Sequence, residues 1–329
     1  MRQDGIDSSL GQVQKTSRAW IACLCGALVM MMACDKAPST PAEPQEVAQD
    51  QGVSQEVATR VAAPKSERVV AHSATIPADP VRVVSLAPNI TELMFALGKG
   101  DSVVGVTRFC DEPADKIKDI KKVGGFIDPD MEAILSLEPD LVVGMQAGDP
   151  KLVQKLEQVT IPYVFMKMDD LDQTLEGIEV LGEVVGARDK ATTLSGALKD
   201  ALRPVDKKPE QARTLFLMGH DPMVAAGHGT FAHDLIERAG GKNVIDANKG
   251  SYVTIDMEYV LKSNPDVILD ATMTGDKSDS IQSFWQPYSD LAAVKRSQVH
   301  HLENPSLLRP GPRLDEAYTI IKTIFGKLK

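Results

Sequence analysis

The sequence predicts an α/β protein made of two lobes of one design with a cleft between them, and three observations carry the prediction. Residues 130–143, Asp-Met-Glu-Ala-Ile-Leu-Ser-Leu-Glu-Pro-Asp-Leu-Val-Val, recur at 256–269 as Asp-Met-Glu-Tyr-Val-Leu-Lys-Ser-Asn-Pro-Asp-Val-Ile-Leu. An internal repeat of this kind constrains the architecture before any single element is read. Within each copy an apolar triplet at i, i+3, i+4 (Met131, Ile134, Leu135; Met257, Val260, Leu261) marks the buried face of a short helix. Pro139 or Pro265 stops that helix, and the branched run after it reads as a buried parallel strand. Two distant copies flanked by similar βα patterns mean two lobes, since a solenoid needs more repeats.

Glu132 and Glu258 each follow the buried Met, so equivalent acids project toward water from equivalent places on the two lobes. Two readings stand. Acids in a first helical turn offset the positive end of the helix dipole, or the pair contacts a partner.

The length of 329 residues allows two domains, and 43% hydrophobic content suffices for globular cores. A formal charge of −10 without a basic stretch argues against nucleic acid. Lys15 and Arg18 precede an apolar run from Ala19 to Ala33 that is short for a membrane span and suits a secretory signal. Met31-Met32-Ala33-Cys34 resembles a bacterial lipobox, with Met31 where Leu is usual, so residues 1–33 are expected to leave and Cys34 to carry lipid. With Cys23 and Cys25 also removed, Cys110 stands alone, and neither a disulfide framework nor a cysteine zinc site is expected. Residues 34–79, rich in Pro, Ala, Glu, Gln and Ser without an apolar period, read as a flexible tether.

The N-terminal lobe is expected over 80–168. It opens with the strand Val81–Leu86, followed by a helix from Asn89 to Leu97, with Asn89 as cap and Gly98 as stop. Strands follow at Ser102–Val106 and around Val123; the first repeat unit comes next, then a helix over 150–158 and a strand over 163–166. From Leu171 to Leu202 the apolar spacing stays helical, so 169–205 is expected to be the linking helix, with a kink or break near Gly186 because Gly182 and Gly186 weaken it. A helical link predicts only modest closure on a ligand. The C-terminal lobe, 206–329, repeats the plan. It has strands at Thr214–Met218 and Val224–Ala226, a helix over 231–239 closed by Gly240 and Gly241, the second repeat unit, and a mixed stretch with Phe284, Trp285 and Tyr288. A strand near Val299 and a final amphipathic helix over 314–325 complete it.

Val83–Glu92 (Val-Val-Ser-Leu-Ala-Pro-Asn-Ile-Thr-Glu), Val-Gly-Gly-Phe (123–126) and Leu-Glu-Pro-Asp-Leu-Val-Val (137–143) resemble the solute-binding proteins of cobalamin and iron-siderophore ABC importers. So do Ala-Gly-Gly-Lys-Asn-Val-Ile (239–245) and Asn-Pro-Asp-Val-Ile-Leu (264–269). The resemblance implies two Rossmann-like lobes joined by a long rigid helix with the ligand in the cleft, the architecture of class III periplasmic binding proteins. It also implies that Glu132 and Glu258 dock on arginines of the membrane permease, where two charge-assisted contacts would fix orientation.

Carried over from the cobalamin binder, the cleft residues fall on Phe109, Phe126, Met145 and Tyr252, a broad apolar set suited to a flat macrocycle. Gly219, His220 and Asp221 offer polar contacts, and Arg108 and Arg309 offer partners for carboxylate or phosphate. The Leu-Arg-Pro-Gly-Pro-Arg run around Arg309 departs from the cobalamin binder. The spacing of His220, His228 and His233 is not a zinc-ligand set, so no bound metal or cofactor is expected; haem ligated by Tyr252 or His220 is the form in which a metal would enter.

The expected function is that of a monomeric, lipid-anchored periplasmic protein that captures a corrinoid and delivers it to an ABC permease. A ferric-siderophore or haem carrier is the alternative. A chelatase-like enzyme using His220 and Glu92 for proton transfer ranks below both: the chain has no Gly-x-Ser-x-Gly, P-loop or His-Glu-x-x-His motif, and a cytoplasmic enzyme has no use for a signal.

Overall fold

The computed structural model describes residues 60–62, 69–145, 150–206, 210–272 and 278–328. The expected signal, Cys34 and most of the expected tether lie outside the described residues.

In the first lobe β1 (Arg60–Ala62), β2 (Val69–His72) and β3 (Thr75–Pro77) precede β4 (Val83–Ser85), α1 (Pro88–Ala96), β5 (Val103–Val106), α2 (Ala114–Ile117) and β6 (Lys121–Lys122). The first repeat unit supplies α3 (Met131–Ser136) and β7 (Leu141–Met145), followed by α4 (Pro150–Gln158) and β8 (Tyr163–Met166). The sheet order is β2-β8-β7-β4-β5-β6. It is parallel except for β2, which runs antiparallel to β8 at one edge. The chain leaves β4 toward β5 and later returns to β7 on β4's other side, so a topological switch point lies between β4 and β7.

The second lobe comprises β9 (Arg213–His220), β10 (Met223–Ala226), α7 (Phe231–Arg238), β11 (Lys242–Asn243) and β12 (Tyr252–Thr254). The second repeat unit, α8 (Met257–Ser263) and β13 (Val267–Asp270), leads to α9 (Ser278–Trp285), α10 (Ala292–Lys295), β14 (Val299–His301) and α11 (Leu314–Gly326). Here the order is β12-β10-β9-β13-β14, with β11 joined to the start of β9.

Two expectations change within these elements. Strands β1, β2 and β3 fall inside the stretch read as tether, because strands of three or four residues carry too little apolar period to register. Asn89 does not cap α1, which starts at Pro88 after Ala87; its buried amide instead donates to the Pro310 carbonyl at 2.8 Å.

Between the lobes α5 (Leu171–Val184) and α6 (Arg188–Ala201) replace one continuous helix. The break falls at Gly186, whose φ of 66° is one that a Cβ disfavours. The chain reverses there. Ser195 Oγ donates to Glu179 at 2.7 Å, and Gly182 faces Ala191 so closely that an added Cβ would lie 2.2 Å from the alanine methyl. Both pairs bridge the turn, which makes the element an antiparallel hairpin.

One continuous apolar cluster runs through both lobes. It takes Val83, Leu141 and Val164 from the first sheet, Ile178 and Leu181 from α5, Leu198 from α6, and Phe216, Leu235, Tyr318 and Ile321 from the second lobe. The outer face of each sheet has its own cluster, built on Val84, Val142 and Phe165 in one lobe and on Leu215, Ile268 and Trp285 in the other. Neighbouring residues such as Val83 and Val84 enter different clusters because a strand's side chains alternate faces, so both sheets are covered twice, as parallel sheets require.

The repeat units match in detail. Asp130 caps α3 by accepting from Ala133 N–H at 3.0 Å, and Asp256 caps α8 from Tyr259 N–H at 2.8 Å. Each helix ends in a non-glycine residue at positive φ, Glu138 (45°) or Asn264 (40°), directly before the proline. The next residues, Asp140 and Asp266, accept from the N–H groups of Arg82 and Arg213 at 3.1 Å. The guanidinium of Arg82 donates to the Leu137 and Glu138 carbonyls, and that of Arg213 to those of Ser263 and Asn264. The predicted apolar triplets are corrected at their third member. Ile134 and Val260 are buried, but Leu135 and Leu261 are 40% and 48% exposed. These short helices seat on i+3 with i, i+2 and i+6 alongside, which rolls i+4 outward.

Candidate functional site

In open α/β sheets ligands bind beyond the carboxyl ends of the strands, at the switch point, and the candidate residues distribute around those ends in three groups. The first lies in the N-terminal lobe. Arg108 and Phe109 leave β5, and Phe126 follows β6 after a tight turn at Gly124. Arg108 makes a two-pronged ion pair with Asp128, 3.0 Å on each prong, and its guanidinium lies 4.8 Å from the Phe109 ring centroid. The Arg108 guanidinium holds the Asp128 carboxyl below the usual carboxylate range. Phe109 and Phe126 remain 52% and 36% exposed, and Met145 is half-buried at the end of β7.

The second group closes the switch point of the C-terminal lobe. His220 ends β9 and Asp270 ends the adjacent β13. The buried Asp270 carboxylate accepts from Trp285 Nε1 at 2.8 Å and lies 2.8 Å from His220 Nε2. It also accepts from Thr272 N–H. The His220 ring stacks on Phe284, centroids 3.8 Å apart and planes within 8°. A carboxylate acceptor at Nε2 places a proton there, so in the neutral ring it is Nδ1 that carries the lone pair. Trp285 is fully buried in this arrangement, so its ring is a wall behind His220 rather than a ligand surface.

The third group sits where the lobes meet. Tyr252 opens the edge strand β12, half exposed, yet its hydroxyl is pushed up to about 12 by desolvation and then by the Asp169 carboxylate. Close by, Asp169 O accepts from Phe231 N–H at 2.6 Å, and Asp234 accepts from Leu171 N–H at 3.0 Å, tying the start of α5 to α7. His233, also on α7, has its pKa lowered by burial and then by His228, whose ring lies 4.0 Å away.

Arg309, expected as a ligand contact, lies in an ion-pair network between the lobes. Its guanidinium is mostly buried and bonded to Glu92 at 3.0 Å and to both carboxylate oxygens of Asp111, while Arg313 makes two further bonds to Glu92 at 2.8 and 2.9 Å. Glu92 belongs to α1 and Arg313 directly precedes α11, so this network clamps one lobe to the other. The Arg309 guanidinium holds the Asp111 carboxyl below its ordinary range. Arg309 is therefore already neutralised within the protein, and Arg108 likewise.

Sequence reasoning missed Asp111, Asp270 and Arg313. The signal for Asp270 was present: it is a charged residue at the end of a run of buried strand residues, where the first repeat unit has Gly144. Among the described residues no group of three metal-ligating side chains occurs. A hollow of about 1250 Å³ lies at the other end of the second sheet, between the starts of β9 and β13 and Phe325 of α11, and none of the candidate residues lines it.

Comparison with known proteins places this geometry. Residues 83–305 match the family described as periplasmic binding protein. An uncharacterized ABC transporter substrate-binding lipoprotein, YvrC of Bacillus subtilis, is 30% identical over 74% of this chain and 79% of the relative. The periplasmic vitamin B12 binding protein BtuF of Vibrio cholerae is 26% identical, with a TM-score of 0.63 over 75% of this chain and 97% of that one. The periplasmic heme-binding protein RhuT of Roseiflexus sp. RS-1, in apo form, is 28% identical, with a TM-score of 0.64 over 74% and 97%. These relatives transport by binding, which removes the chelatase-like reading. The chain belongs to the periplasmic binding protein family, the solute-binding proteins of ABC importers, and it captures a solute rather than transforming one.

Proposed function

We propose that this protein is a lipid-anchored extracytoplasmic receptor that captures a corrinoid such as cobalamin between its lobes and delivers it to an ABC permease. The observation that carries this reading is the exposure of Phe109, Phe126 and Tyr252 on loops and edges of both lobes, while Phe165, Phe216, Phe231 and Trp285 are buried. Exposed aromatic faces contributed by two lobes suit a broad, flat ligand. The paired state of Arg108 and Arg309 adds a charge argument. A corrin ring fringed by neutral amides leaves cobalamin with one phosphodiester as its anionic group, whereas a haem brings two propionates that would have to displace Asp128 or Asp111 from the arginines. One observation favours haem as a second reading: His220, oriented by Asp270, has the arrangement of a metal-binding imidazole with its outer-shell carboxylate.

In this reading Cys34 carries the lipid, the chain acts as a monomer, and Glu132 and Glu258 dock on the permease. Calorimetric titration of the mature protein with cyanocobalamin, hemin and a ferric hydroxamate tests the ligand. Tight binding of cyanocobalamin is expected; binding of hemin or the hydroxamate alone would overturn the corrinoid assignment. The combination Glu132→Ala and Glu258→Ala is expected to leave that titration unchanged and to abolish cellular uptake, and equal loss of both would count against docking.

A further inference from the structure

The two repeat units share one burial pattern over the helix and the turn that follows it. Position by position, residues 131–140 and 257–266 have the same sequence of buried, half-buried and exposed side chains. Four positions in each are exposed: 132, 135, 136 and 138 in the first lobe, and 258, 261, 262 and 264 in the second. The last two have diverged, Ser136 against Lys262 and Glu138 against Asn264. The first two have not: both lobes keep Glu, and both keep Leu.

The fold accounts for the other shared residues. Pro139 and Pro265 end the helices, and Asp140 and Asp266 hold the N–H groups at the start of β4 and β9. It does not account for the leucines, which are exposed in both copies although the flanking exposed positions are polar. A single exposed leucine is unremarkable. A matched pair is different when each member lies one turn from a matched carboxylate. At about 100° per residue, positions i and i+3 fall about 60° apart on a helix surface. Glu132 with Leu135, and Glu258 with Leu261, thus form one compact face per lobe.

We propose that Leu135 and Leu261 are contact residues of the permease-docking surface, each seated in an apolar depression beside the basic side chain that receives the neighbouring glutamate. The partner is an integral membrane transport protein with two related halves, each offering one cation and one apolar recess. A second copy of this chain is disfavoured as the occupant, because it would bring carboxylate against carboxylate on a protein of net charge −10. The inference rests on the docking role of Glu132 and Glu258 and adds the element that ions alone lack: burial of apolar surface makes the complex less sensitive to salt than two screened ion pairs.

The test is saturable binding of the labelled mature protein to right-side-out membrane vesicles from host cells depleted of the native chain. Leu135→Ser with Leu261→Ser is expected to weaken binding about tenfold or more, with melting temperature and cyanocobalamin titration unchanged. Leu135→Met with Leu261→Met is expected to restore it. If the serine variant binds as wild type while Glu132→Ala with Glu258→Ala does not, the leucines have no part and docking through glutamate stands. If both variants bind as wild type, or the wild type shows no saturable binding, the docking reading falls as well. A sedimentation dimer of the wild type that the serine variant dissolves would assign this face to a second copy and overturn the inference.

Discussion

The two lobes agree on one side and disagree on the other. In both repeat units an aspartate caps the helix and a non-glycine residue turns at positive φ before proline, and an arginine at the start of the neighbouring strand, Arg82 just before β4 or Arg213 opening β9, ties down the last carbonyls. At the strand ends the likeness stops. β4 ends at Ser85 and enters α1 at Pro88, whereas β9 runs on to His220 and turns into the hairpin with β10. β7 carries Gly144 where β13 carries Asp270. The outward helices keep a common form, which suits a partner with two related halves. The inner ends diverge, which suits a ligand whose two faces are chemically different.

The comparison can be broken most severely at the clamp that holds the unlike sides together. Replacing Glu92 with Ala removes the carboxylate that Arg309 and Arg313 share, leaving Asp111 bonded to Arg309 and only the more distant charges of Glu316 and Glu112 for Arg313, and should cost about 3 kcal/mol in urea unfolding. Replacing Asp270 with Ala strands the Trp285 indole and His220 inside one lobe; about 2 kcal/mol is expected, with a change in Trp285 fluorescence that the Glu92 variant does not show. Phe109→Ala with Tyr252→Ala should weaken cyanocobalamin binding at least tenfold without moving the unfolding midpoint, since both rings are already exposed.

Arg82→Ala and Arg213→Ala sharpen the likeness. Each frees two helix-end carbonyls, so each should cost about 1 kcal/mol, and a large inequality would mean that the two repeat units are alike in shape but not in energy.

The smallest effect is on pH dependence. His233 is held below its ordinary value of 6.5, so the unfolded chain takes up its proton first as pH falls. Its contribution to stability is present above that value and is lost on acidification, and His233→Gln should flatten that limb of the stability curve. Asp111, held below 3.8 chiefly by its bonds to Arg309, works in the same direction at lower pH. Its stabilisation is present above its unfolded value and disappears as pH falls through the folded one.

Much of this architecture was legible because it depends on local rules. Proline stops, aspartate caps, the glycine break at 186 and the double copy of the repeat act within a few residues of chain. What escaped depends on how elements meet. The expected cap Asn89 was recruited by the Pro310 carbonyl far along the chain. Leu135 and Leu261 keep helical period with the core but face water, because the sheet, not the helix, chooses which arc is covered. The weakened linking helix announced its break, but only the packing of Gly182 on Ala191 turned that break into a reversal.

By itself, then, the sequence determined the two-lobed α/β plan, the break in the link and the matched acids, since period, punctuation and repetition are written along the chain. The tertiary structure alone decided that Arg309 serves the inter-lobe clamp, that Asp270 orients His220, and that one apolar cluster unites the lobes. Charges and ring faces choose partners by distance in space, and folding brings together residues that the sequence keeps far apart.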